Sequence, residues 1–128
     1  MAIAGAVLVA LAALLHVYIF LMESIWWSGP STWRRFGVAN QADADTIRPM
    51  AYNQGFYNLF LAVGAALGLF LYFTGQQAPG AALVLFSAGS MVLAATVLAT
   101  SGRRYSRTAL VQGPLPLIGF VLFLLASK

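Results

Sequence analysis

His16 and Glu23 are the histidine and the acid of the first long apolar stretch, seven residues apart. Seven residues are two helical turns, so on a helix the two share one face, with Phe20 between them and Trp27 beyond. An imidazole and a carboxylate on one stripe are groups that general acid/base catalysis draws on. A second cluster, Asn53, Gln54, Tyr57 and Asn58, falls within six residues. At 100° per residue these four cover about 140° of arc, a single polar face. Amides and a phenol so arranged can orient a ligand. They can equally hydrogen-bond across a helix contact, although four in six residues exceed what one contact needs. Gln112 and Arg48 complete the candidate set, with His16 and Glu23 as catalytic candidates and the rest as ligand-binding ones.

Each assignment has a plainer counterpart. Glu23 lies toward the end of its apolar stretch, where an acid commonly pairs with a loop arginine. His16 in apolar surroundings is often a hydrogen-bonded core histidine. Ser87, Ser90 and Thr96 fit hydroxyls bonded to their own helix backbone. His16 and Glu23 alone would leave a metal's coordination sphere mostly unfilled, so no metal site is expected. A lone histidine without a second ligand or attachment motif makes a poor haem site, and the sequence names no cofactor.

The elements that must position these residues are helices in a bilayer. Of 128 residues, 61% are hydrophobic and 8% charged, against roughly a quarter charged in soluble domains. One soluble core of this size cannot hide so much apolar surface, which leaves the membrane as solvent. Cysteine is absent, excluding disulfides and thiol chemistry. The net charge of +4 sits in short loops beside apolar runs. No basic face with interleaved aromatics exists, so nucleic acid is not an expected partner.

The pattern predicts an all-α, single-domain bundle over residues 1–128, with four transmembrane helices at about 1–27, 50–74, 81–100 and 108–126. Ser28-Gly29-Pro30 ends the first span, and Pro30–Phe36 forms an interfacial turn whose cations, Trp and Phe suit the headgroup layer. Asp43 and Asp45 suit the start of an emerging helix. Pro49 either occupies a first turn or interrupts a longer helix. Gly75–Gly80 is a tight uncharged turn, and Pro114 and Pro116 fall inside the fourth span. Six of the seven Lys and Arg lie in the first and third loops. The positive-inside rule puts those loops in the cytoplasm and both termini outside, in a multi-pass protein of the inner (plasma) membrane.

With that orientation Glu23, Asn53, Gln54, Asn58, Gln112 and Arg107 share the cytoplasmic half. His16 lies deeper, roughly 16 Å from Trp27 along the helix axis. Polar groups at such depth are costly unless paired or lining a wet space. The expectation is one polar cavity open toward the cytoplasm, with His16 near its floor.

The run His16-Val17-Tyr18-Ile19, then Glu23, then Asn53-Gln54-Gly55-Phe56-Tyr57-Asn58-Leu59-Phe60-Leu61-Ala62, then Gln112-Gly113 resembles the small bacterial membrane family called domain of unknown function 1304. The resemblance covers nearly the whole chain. It implies that His16, Glu23, the Asn-Gln block and Gln112 belong to the family pattern, and it implies no activity. In architecture the chain is also similar to the membrane-associated eicosanoid and glutathione metabolism proteins, which are four-helix trimers with a long cytoplasmic first loop. Arg48 and Asn53 match the spacing of an arginine and an asparagine that help hold glutathione there. Phe56 stands where that family has a glutamate.

Three function classes follow. The first is a membrane-embedded enzyme or binding protein for a small amphipathic molecule, with His16 and Glu23 as acid and base. The second is a small transporter using Glu23, although transporter sites usually lie nearer mid-depth. The third is a structural or assembly subunit. Membrane lipids are expected partners. So is a second copy of the chain, a trimer being favoured by the architectural likeness and by the small residues around Gly64 and Gly68.

Overall fold

The computed structural model describes every residue, Met1–Lys128. The chain is all-helical. Helix α1 (Ala2–Phe20) runs directly into a wide π-helical turn, Leu21–Ile25. A short α2 (Pro30–Trp33) and a 3-10 turn (Arg34–Phe36) follow. Then come α3 (Gln41–Phe73), α4 (Gln77–Thr100), a 3-10 turn (Arg103–Tyr105), α5 (Ser106–Gln112) and α6 (Pro114–Ala126). Three helical segments are long and apolar enough to cross a membrane: Ala2–Ile25, Gln41–Phe73 and Gln77–Thr100. They become four if Arg103–Gln112, the 3-10 turn with α5, and α6, bent by 43°, count as one span. Pro114 has no N–H to continue the helical ladder, and its ring crowds the preceding turn, so the break falls there.

Helix α1 packs on α3 and α6, α3 packs on α4, and α4 packs on α6, which closes a four-cornered bundle. Small residues form the seams. Lipid tails are as apolar as leucine, so helices in a bilayer gain by close approach rather than by leaving the solvent. A Cβ added at Gly5 would lie 2.7 Å from the Phe123 backbone nitrogen, and one at Gly119 would lie 3.0 Å from that of Val9. Gly68 stands in the same relation to Val84, and Gly64 faces Ser87. The Gly64–Gly68 surface that argued for self-association is therefore covered by α4 of the same chain. The core between the seams includes Val9, Ala12, Ala65, Val84, Ala88, Met91 and Phe123, while Leu14, Phe60, Phe70, Phe86 and Leu110 point outward.

Helix α3 starts well before its apolar run. The Asn40 side chain accepts from the Asp43 backbone N–H at 2.8 Å, capping the helix, and Asp43 sits favourably in the first turn. The helix passes through Pro49. The carbonyl that this proline strands, that of Asp45, lies on an exposed stretch of the helix. Both arginine loops lie at one end of the bundle. The Thr108 hydroxyl donates to the Arg35 carbonyl at 3.1 Å, and Gly37, at φ +80°, faces the Arg104 stem. Trp33 is buried with Trp27, Ala44 and Ala51, and its indole N–H donates to Gln41 Oε1 at 3.1 Å.

Candidate functional site

On α1 the buried positions Gly5, Val9, Ala12, His16 and Ile19 recur at helical spacing, and Glu23 follows in the π turn. His16 and Glu23 therefore do share a stripe. The π turn is closed by the Trp26 N–H bonding to the Leu21 carbonyl, five residues back, at 2.8 Å. The wider turn lets two consecutive side chains reach the same neighbour. Glu23 Oε1 accepts from Asn58 Nδ2 at 2.7 Å, and the Ser24 hydroxyl donates to the Tyr52 carbonyl at 2.8 Å. Gly55 permits this docking, because a Cβ there would meet the Ser24 side chain and, at 3.1 Å, its backbone nitrogen. A third tie follows one turn on, where Trp27 Nε1 donates to the Ala44 carbonyl at 2.9 Å.

Helix α3 answers with its own seam of Ala51, Gly55, Asn58, Ala62 and Ala65. Asn58 lies on that seam and also donates to the Gln54 carbonyl at 3.2 Å, which fixes its amide toward Glu23. Glu23 thus pairs with an amide of α3, not with a loop arginine. Its carboxylate borders a groove of about 620 Å³. Trp27, Val38, Ile47, Met50 and Leu98 give this groove apolar walls, and Asp43, Thr46, Gln54, Ser101, Arg104, Tyr105 and Thr108 give it polar ones.

The single cavity expected from the sequence is narrower than the residues proposed for it. Glu23, Asn58 and Gln54 come together. His16 does not border the groove. It is buried, and its Nδ1 lies 2.8 Å from the Ala12 carbonyl; a carbonyl only accepts, so Nδ1 carries the hydrogen. That bond within one turn is the arrangement of a packed core histidine. Asn53 and Tyr57 are exposed, because α3 turns its small-residue seam inward and carries these two off it. Arg48 is exposed on the same helix and lies outside the groove.

Gln112 is buried just before the bend between α5 and α6 and lines a different groove, of about 500 Å³. There Arg34, Arg35, Arg104 and Arg107 gather around Thr108 and Gln112, with Leu15, Ile19, Met22 and Val111 along the apolar side. Arg35 donates to the Tyr18 hydroxyl at 3.1 Å. The sequence places these arginines in two loops seventy residues apart and gives no sign that they meet. Nor does the sequence signal the contacts of Ser24, Trp27 and Thr108. The small-residue periodicity of α3 was the available signal for which polar side chains face inward.

A family model described as "Protein of unknown function (DUF1304)" matches residues 10–124. No curated protein and no solved structure matches the chain. The likeness to the eicosanoid and glutathione metabolism proteins gains no support from these comparisons.

Proposed function

We propose, for a chain that belongs to the family described as protein of unknown function (DUF1304), that it is a four-span membrane protein binding a small amphipathic molecule in the Glu23 groove. Both arginine loops face the cytoplasm and both termini lie outside, following the positive-inside rule. The observation that carries the reading is the Glu23–Asn58 pair at the π turn, bordering a groove with apolar walls on one side and hydroxyl, amide and charged groups on the other. A π turn in a helix is uncommon and often marks a functional position. Here it supports a carboxylate held at a groove wall with one oxygen engaged.

The complementary ligand carries a hydrogen-bond donor or a cation toward Glu23 and Asp43, and an apolar body against Trp27, Ile47 and Met50. Binding is favoured over acid/base catalysis because His16, the other candidate, is kept out of the groove by its own helix. Replacing Glu23 by Gln keeps an acceptor for Asn58 and removes the ionisable group. Native mass spectrometry of protein purified in mild detergent should find a co-purifying small molecule on the wild type. The E23Q variant should lose it while melting within a few degrees of the wild type. Equal ligand content in both proteins rejects the reading, and a large fall in melting temperature with no ligand on either favours a purely structural pair.

A further inference from the structure

The groove lined by Gln112 is distinct in chemistry from the Glu23 groove. Four guanidinium groups border it, from Arg34 and Arg35 of the first loop and Arg104 and Arg107 of the third. No aspartate or glutamate is among its lining residues. Two of the four have phenol acceptors: Arg35 on Tyr18, and Arg104 on Tyr105 at 2.6 Å. A neutral hydroxyl accepts a hydrogen bond without cancelling charge, so the positive potential remains.

The positive-inside rule accounts for arginines in these loops but not for their convergence. Arg48 and Arg103 satisfy the same rule and lie outside the groove. Convergence is built by the backbone, through the Thr108 hydroxyl bond to the Arg35 carbonyl and the left-handed turn at Gly37 seated on the Arg104 stem. Below the cations, Leu15 of α1, Met22 of the π turn and Val111 of α5 continue the wall as apolar surface, over a floor that includes the buried Ile19. Cations at one end and apolar side chains at the other match a molecule with an anionic head and an acyl tail.

We infer that this groove is a site for an anionic phospholipid, its phosphate held by Arg34, Arg35, Arg104 and Arg107 and its tail laid along Leu15, Met22 and Val111. Arginine suits the role because its planar fork binds phosphate oxygens in pairs. The inference does not depend on what occupies the Glu23 groove.

The test titrates dioleoyl phosphatidylglycerol and dioleoyl phosphatidylcholine onto the detergent-purified protein and reads retained adducts by native mass spectrometry. Wild type should retain phosphatidylglycerol at collision energies that strip phosphatidylcholine. The double variant Arg34→Gln/Arg107→Gln should weaken phosphatidylglycerol binding roughly tenfold or more. Arg48→Gln/Arg103→Gln, which removes the same charge elsewhere, should stay within about twofold of wild type. Equal losses in the two double variants, or no preference between the lipids, overturns the site. A competition arm on the wild type needs no variant to fold. Glycerol phosphate displacing the lipid at comparable concentration would mean a free-anion site and overturn the lipid assignment.

Discussion

The Glu23 groove and the arginine groove share a wall of Phe36, Gly37, Arg104 and Thr108, and they handle charge in opposite ways. Glu23 is buried, and the protein surrounds it with built features: a π turn, an amide donor fixed by its own helix, and a glycine that lets the turn dock. The four arginines sit at the rim with mostly exposed side chains, and their loops need only bring them near each other. Depth explains the contrast. Removing a charge from water is costly unless donors replace the water, whereas a rim charge keeps its hydration and stays available to a partner. Geometry in the first groove is therefore tied to stability, while in the second it is set by loops that leave their charges hydrated.

That contrast can be broken most forcefully at Gly55. Gly55→Leu drives a side chain into Ser24, and unfolding in detergent should show a loss of at least about 2 kcal/mol. An unaltered melting temperature would mean that the π turn does not rest on α3. Next in size is Asn58→Ala, which strips Glu23 of its donor and should cost about 1–2 kcal/mol. A double-mutant cycle with Glu23→Ala should return a coupling of roughly 1 kcal/mol, and additivity would dissolve the pair. Trp27→Phe removes one indole bond to Ala44 and should cost about 1 kcal/mol. Arg34→Gln/Arg107→Gln should move stability by less than about 0.5 kcal/mol. A larger fall would place the arginines among the supports of the fold and erase the distinction between the grooves.

Some of this was legible in the sequence and some was not. The spacing of His16 and Glu23 gave their common stripe correctly, because a regular helix carries its periodicity in the residue count. The spacing of the polar block of α3 predicts one polar face. The bundle instead chose the seam of Ala51, Gly55 and Asn58, and Asn53 and Tyr57 turned away with the opposite side. Polarity alone does not say which face packs; side-chain size does, where helices approach as closely as Gly5 and Phe123. The π turn was beyond sequence reading, since Leu-Met-Glu-Ser-Ile has no local feature that widens a helix, and its ties to Tyr52 and Asn58 are made across the bundle. The meeting of the arginines was equally hidden, because it arises when two loops fold onto each other.

The wide turn at Leu21–Ile25 gives this part of the chain one residue of slack. It holds one residue more than a regular turn, so deleting one of the five would let the ladder close at ordinary spacing. Five residues in a π turn and four in an α turn both advance a little over one full rotation, so the chain beyond would keep its direction. Trp27 would stay beside the Ala44 carbonyl, and the loop carrying Arg34 and Arg35 would keep its seat beside Thr108. The loss would fall inside the turn, where Glu23 and Ser24 together reach α3. Over evolutionary drift, this stretch should therefore accept the loss of one residue more readily than the regular helix before it, with the Glu23 groove altered and the arginine groove left as it is.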